Sequence, residues 1–491
     1  MNKKDIFGCF NHQRCFTQKK VTNILLFLSF IIFSSCSMTP AKKNIKYEFD
    51  IASKYNANSF KGHKPTRTKW WKKFNDEKLN KLIENVIKNN LDLKMALGNI
   101  NILKAQYQIS KVKKLPTVNA SAGANVARAP IAGFSIDRTT GAMSKAYDSQ
   151  INDNYSLQLG AMFEIDIFDK YGSLSRSALN NLKASQADYY KVYFLIISQT
   201  IMAYYDIKMI KQSINLNEDI IKSYKEELDI EKQKYEAGIG ISFNVNSLEQ
   251  IISSQKAQIE ELKKQLKLRK YSLKILLGQY PKDDMIFEDN TKEVLNKLED
   301  LSLGIPSDLL KNRFDIISAH KKLESAREMI GYKKADRFPS ISLSAAIGYM
   351  NILDLSNFFD SDFITVSSGA NINYTVFSYG SKKVAYEQAV EQYNLSLLNY
   401  KKTILNAFNE VEGILVKIDS LKKQKENIIE SLNYSKKSLE EAKRRFIGGV
   451  GEYKTILDLT KSQFSLQINI INLEKGLILT YIDLYRALGK K

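Results

Sequence analysis

Thiols, imidazoles and paired carboxylates are the side chains that could make or break bonds here, and their positions decide which chemistry is open. Cys9, Cys15 and Cys36, the only cysteines, fall within the first 36 residues. The rest of the chain therefore offers no thiol nucleophile, and none that could mispair in an oxidising compartment. Beyond that point only His63 and His320 remain, far apart in sequence, so Cys/His nucleophile pairs and His-rich metal sites are not available. His320 falls on an expected helix and reads as a surface residue rather than a base. Acidic pairs such as Glu260-Glu261 lie on Lys-rich helical stretches and read as solvated charge. No catalytic, metal or cofactor site is expected, and the chain is not expected to be an enzyme.

The residue with chemistry left to do is Cys36. It follows Lys19-Lys20, the apolar run Val21–Phe33 and the small residues Ser34-Ser35. The run is shorter than the ~20 residues that span a bilayer. Basic flank, short apolar core and small residues before the cut describe a secretory signal, and a cysteine just after them resembles a bacterial lipobox, whose cysteine would take a lipid. Residues 1–35 are read as a lipoprotein signal peptide and 36–68 as a lipidated extension; ordinary cleavage leaving Cys36 unmodified is the alternative. Ser37, rather than Asp, fits lipoproteins sorted to the outer membrane. A single lipid holds weakly, so further membrane contact is expected elsewhere in the chain.

Composition bounds the rest. With only 7 Pro and 22 Gly in 491 residues, long regular elements are expected. The balance of 44% hydrophobic and 26% charged residues excludes both wholesale disorder and a bundle of membrane-spanning helices. The net charge of +20 raises nucleic-acid binding, but the lysines are scattered, no such motif is present, and the export signal points away from the cytoplasm. No nucleic-acid partner is expected.

The chain is written twice. Asp92-Leu93-Lys94-Met95-Ala96 corresponds to Asp315-Ile316-Ile317-Ser318-Ala319, and Leu115-Pro116-Thr117-Val118 to Phe338-Pro339-Ser340-Ile341, at one shared offset. Gly238 and Gly278 recur as Gly449 and Gly489 at a second shared offset. Such self-similarity marks an internal repeat. The first copy is placed at 69–281 and the second at 282–491.

Within each copy the periodicity changes in the same order. A helix ends at Pro116 or Pro339, whose ring bars its continuation. Alternation follows: Val118, Ala120, Ala122, Ala124 and Val126, then Tyr155, Leu157, Leu159, Ala161, Phe163 and Ile165; in the second copy Ile341, Leu343, Ala345, Ile347 and Tyr349, then Ile364, Val366, Ala370, Ile372 and Tyr374. Two β-hairpins, 117–167 and 340–377, are predicted, with strands of about ten residues. Long helical stretches come next, with seams Tyr190, Phe194, Ile197, Ile201, Tyr204 and Tyr393, Leu397, Tyr400, Ile404, Ala407, Val411, Ile414, Ile418, Leu421. Glycine turns, with tips near 238–242 and 448–453, reverse each helix.

Helices of about 65 residues run roughly 100 Å, far beyond a compact domain, so they bridge a distance. Half-apolar strands suit a membrane barrel, because lipid tolerates no unpaired edge. Four strands cannot close, since known barrels begin at about eight, so several chains must share the wall and three would supply twelve. The competing reading is a lipid-tethered structural coiled coil of the periplasm without channel activity, which leaves the alternating strands unexplained.

Three stretches carry a family resemblance. Trp70-Trp71-Lys72-Lys73-Phe74-Asn75-Asp76 with Asn90-Leu91-Asp92-Leu93, Gly304-Ile305-Pro306-Ser307-Asp308-Leu309-Leu310 with Arg313, Ile330-Gly331 and Phe338-Pro339-Ser340, and Gly451 to Ser462 around Ile456-Leu457-Asp458 resemble the outer membrane factors, TolC-like and of the OprM/NodT lipoprotein type. The resemblance implies an α+β fold: four strands per chain complete a trimeric twelve-stranded transmembrane barrel, continuous with a long α-helical periplasmic coiled-coil barrel. It implies a homotrimer in outer-membrane lipid, docked by a periplasmic adaptor (membrane fusion) protein and fed by an inner-membrane pump of RND, ABC or MFS type. The function implied is the exit duct of a tripartite efflux or type I secretion system, passing drugs, small molecules or proteins. The tips Gly238, Ile239, Gly240, Ile241, Ser242 and Gly448, Gly449, Val450, Gly451 would dock the adaptor. A Tyr, an Asp and an Arg latch the TolC gate; the matching positions here are Phe446, Asn244 and Gly451, so that polar latch is missing. Asp458 matches an acidic position that rings the constriction, although a solvated helix-face carboxylate is an equal reading of it.

Overall fold

A computed structural model describes residues 37–42, 70–136, 138–284, 310, 312–351 and 357–489. The signal, Cys36, most of the 36–68 extension with His63, and the stretch Gly304 to Leu309 lie outside the described residues. After a 3-10 turn at Trp70–Phe74 come α1 (Glu77–Asn89), α2 (Leu91–Val112), β1 (Thr117–Ile136), β2 (Met143–Ile165), α3 (Lys170–Glu236) and α4 (Ser242–Leu276). The same order then recurs in α5 (Phe314–Ala335), β3 (Ser340–Asn351), β4 (Ile364–Asn373), α6 (Ser381–Ile447) and α7 (Tyr453–Ala487). Helices α3 and α6 each have 67 residues, and α4 and α7 each have 35. Contacts divide the chain into two compact units, one of residues 1–44, 102–182 and 322–397, the other of 45–101, 183–321 and 398–491.

The first unit holds one four-stranded antiparallel sheet in the order β1-β2-β3-β4. Its register decides what each face carries. Val118 pairs with Ala161 and Ala120 with Leu159; Leu159 pairs with Ile347 and Phe163 with Leu343; Ile347 pairs with Val366 and Ile341 with Ile372. Side chains alternate across a strand, so all four apolar sets share one face. The opposite face carries Asn119, Ser121, Gln158, Glu164, Ser342, Ser344, Thr365 and Asn371. Much of the apolar face is open: Val366 is 74% and Ile372 72% exposed.

Two strands depart from expectation. β1 and β2 have 20 and 23 residues, about twice the ten set by the alternating pattern, because pairing continues from Val126↔Asp153 to Ile136↔Met143 after the apolar alternation has stopped. The ladder's hydrogen bonds are backbone bonds and do not need a two-faced side-chain pattern. At the other end of the sheet Asp166 accepts from the backbone N–H of Tyr171 (3.1 Å) and Gly172 (2.8 Å), which satisfies free donors at the start of α3. Phe168 stacks on Phe338 at 4.8 Å between centroids.

The second unit is a helical body. The Trp-rich opening plugs it: Trp70, Trp71 and Phe74 are buried with Leu79, Ile83, Ile197, Ile201, Tyr205 and Tyr481, and Trp70 stacks on Tyr485 at 4.8 Å. Of the α3 seam, Phe194, Ile197, Ile201 and Tyr204 are buried, while Tyr190 stands at the margin, stacked on Phe314 at 5.1 Å. The α6 seam buries Tyr400, Ile404, Ala407, Val411 and Ile418.

Two carboxylates inside this body are paired. Asp76 caps α1 by accepting from Leu79 N–H (3.0 Å), and it also accepts from the Tyr204 hydroxyl (2.8 Å) and pairs with Lys208 (3.2 Å). Burial alone would raise the Asp76 carboxyl, but these three donors outweigh it and hold it below the usual carboxylate range. Asp206 on α3 pairs with Arg269 of α4 (2.6 Å) and with Lys475 of α7. His320 is half-buried rather than on the open surface, with its ring 5.5 Å from Tyr400.

Candidate functional site

Each helical hairpin reverses through a glycine in the left-handed region, Gly238 at φ +73° and Gly449 at φ +77°. The amides of Ile239 (3.0 Å) and Gly240 (2.9 Å) donate to Lys234 C=O, and Val450 N–H donates to Arg445 C=O at 3.0 Å, so the last helical carbonyls are satisfied. The last glycine of each turn is needed for space. A Cβ on Gly240 would meet Tyr235 N at 2.7 Å, and one on Gly451 would meet Phe446 N at 3.0 Å. The turns then present apolar side chains to solvent: Ile239, Ile241 and Phe243 on the first, Ile447 and Val450 on the second.

Behind the tips lies a charged group that the sequence pattern did not reveal. Glu231, 3% exposed, pairs with Lys234 at 2.7 Å and accepts from the Asn244 side-chain amide at 2.9 Å. The Lys234 ammonium lies 5.4 Å from the Phe446 ring centroid and 5.7 Å from that of Tyr453, within cation–π range. The two rings are 5.7 Å apart. Asn244 and Phe446, both expected at the gate, are thus gathered around Lys234 and Glu231, which were not. The i,i+3 spacing of Glu231 and Lys234 was a visible signal, but one that surface helices share. Asp458 is exposed on α7.

Among the described residues no group of His, Cys, Asp and Glu could hold a metal ion, and the acids Glu260 and Glu261 form exposed i,i+3 pairs with Lys263 and Lys264. No described helix is long and apolar enough to cross a membrane.

The profile of a family described as outer membrane efflux protein matches residues 82–279 and 305–490. The chain belongs to that family. The solvent efflux pump outer membrane protein SrpC of Pseudomonas putida is 28% identical over 416 residues, covering 85% of this chain and 86% of that protein. The cation efflux system protein CusC of Escherichia coli is 25% identical over 479 residues, covering 95% and 98%. The solved CmeC outer membrane channel of Campylobacter jejuni superposes with a TM-score of 0.79 at 24% identity, covering 93% and 95%, a likeness that shows the fold. This efflux protein thus has the TolC-like channel fold, mostly helical with a few strands. It is an outer-membrane component of an efflux system, in a family of channel proteins.

Proposed function

We propose that the efflux protein is a homotrimer whose twelve strands close one barrel in outer-membrane lipid, above a periplasmic duct of helices. The observation that carries this is the sheet. One chain supplies four strands with a continuous apolar face, and the outer edges of β1 and β4 pair with no other described strand. Unpaired edges are intolerable in hydrocarbon, and a second copy offers matching ones. The polar face, with Asn119, Gln158, Ser344 and Asn371, then lines water. Purified protein should form heat-modifiable trimers and conduct in planar bilayers; a non-conducting monomer would remove this reading.

The tips Gly238 to Ser242 and Gly448 to Gly451 dock a periplasmic adaptor, which links the duct to an inner-membrane pump of RND, ABC or MFS type. The exposed Ile239, Ile241 and Val450 supply the apolar contact. Asn244, Phe446 and Asp458 belong to the closed gate: Lys234 clasps the α3/α4 hairpin to the α6/α7 hairpin, and three Asp458 carboxylates near one axis attract cations. Cys36 carries the lipid. The cargo is small molecules or ions, a reading supported by the solvent efflux pump to which SrpC belongs and the cation efflux system to which CusC belongs. Intact-cell efflux assays with solvents, drugs and metal cations separate these classes.

A further inference from the structure

The described chain begins at Ser37, directly after Cys36, and its first residues are held by side chains from far along the sequence. The Thr39 hydroxyl donates to Glu328 Oε2 at 3.0 Å and lies 3.0 Å from Ser173 Oγ. Arg176 organises the same spot. Its Nε donates to Glu328 Oε2 at 2.8 Å, while its Nη2 donates to Asp169 Oδ2 at 2.6 Å, Ser173 Oγ at 3.0 Å and Thr39 Oγ1 at 3.3 Å. Glu328 is 4% exposed and its second oxygen accepts from Arg327 at 2.9 Å. Three residues on, Lys42 pairs with Glu324 at 2.9 Å.

Space for this segment is built into α5. A Cβ on Gly331 would lie 2.3 Å from Thr39 Oγ1 and 2.9 Å from Thr39 Cα. Glycine inside a helix costs about 1 kcal/mol relative to alanine, and here it lets the incoming backbone lie against the helix. A part-buried, charge-assisted network and a helix surface without side-chain bulk meet at the segment that follows the lipid acceptor.

We propose that Arg176, Glu328, Ser173 and Gly331 form a seat for Thr39 that fixes the point from which the Cys36 lipid leaves the folded body. The inference rests on Cys36 being acylated. A seated Thr39 makes the tether only a few residues long. Release of Thr39 would lengthen it, and because effective concentration falls as about the −3/2 power of tether length, release would dilute the anchor near the body. The seat thus makes one weak lipid count in delivering the sheet to the membrane.

A nitroxide on Ala41→Cys reports the seat, and the fraction of protein embedded in the outer membrane reports its purpose. Thr39→Val alters only the segment, and Gly331→Leu fills its place. Both are expected to mobilise the label with or without the acyl group, and to lower embedding several-fold in acylated protein while leaving embedding unchanged in a Cys36→Ser background. An immobile label in both variants overturns the seat, and equal losses with and without the acyl group overturn its link to the anchor in favour of plain stability. Undiminished embedding with a mobile label also overturns the proposal. Mass spectrometry of the mature N-terminus tests the acylation separately: an unmodified Cys36 overturns the anchor reading and leaves the label result to judge the seat alone.

Discussion

The side-chain amide of Asn90 donates to the Leu276 carbonyl at 2.9 Å, and at the corresponding place in the second half the Arg313 guanidinium donates to the Ala487 carbonyl at 2.8 Å. Each bond caps the last turn of a returning helix, α4 or α7, where carbonyls lack intrahelical partners. Asn90 also accepts from Leu93 N–H at 3.0 Å and so caps α2. Arg313 adds charge: it pairs with Asp315 at 2.6 Å and Glu410 at 2.8 Å. Arg313→Met leaves the part-buried Asp315 without its cation, while Glu410 keeps Arg486 at 2.9 Å, and is expected to cost about 3–5 kcal/mol. Asn90→Ala should cost about 1–3 kcal/mol. Denaturant unfolding of the purified protein ranks the two, and equal losses would refute the distinction.

Acid should weaken the helical body through two carboxylates. Burial raises Asp315, but the hydrogen bond and charge of Arg313 outweigh it, so its folded value lies below the usual carboxylate range, as does that of Asp76. A carboxylate with a depressed folded pKa contributes stability above its unfolded pKa, and that contribution is lost as pH falls through the folded one. The melting temperature should therefore hold above about pH 4 and fall below it. Asp76→Asn should flatten the fall; an unchanged profile would contradict this origin.

Substituting Gly240 or Gly449 by Leu tests the tips. The first clashes with the Tyr235 amide and the second forces a bulky residue to a positive φ, which costs about 1–2 kcal/mol. Export should be lost while trimers persist on gels. Normal export would count against adaptor docking at these turns.

The clasp behind the tips makes a separate prediction. Lys234→Met and Glu231→Gln each remove a charge-assisted hydrogen bond of about 1.5–3 kcal/mol, so the closed tip should open more often. Single-channel current should rise, and cells should become more sensitive to large antibiotics. Conductance unchanged in both variants would argue that the Lys234 group only stiffens the hairpins.

Asp458→Ala addresses the constriction. Loss of three carboxylates near one axis should lower cation selectivity, seen as a shift of reversal potential in a salt gradient. No shift would place Asp458 on an ordinary solvated face.

Much of this architecture could be read locally. Alternation at Val118 to Val126 and Tyr155 to Ile165, the four-and-three spacing on α6, and glycines at the two turns all reflect physics acting within a few residues. The strand lengths were less legible, because ladder pairing from Val126 to Ile136 proceeds without an apolar alternation to mark it. His320 looked like a surface residue because nothing near it in sequence discloses Tyr400.

By itself, then, the amino-acid sequence determined the element order, the two-faced strands, the turns and an exported chain whose described body holds no thiol. Only the tertiary structure decided that Lys234 meets Phe446 and Tyr453, that Asp76 gathers Tyr204 and Lys208, and that Gly331 receives Thr39. The physical reason is phase. Small departures from 3.6 residues per turn accumulate along a 67-residue helix, so which side chains face a distant neighbour is set by how the helices pack.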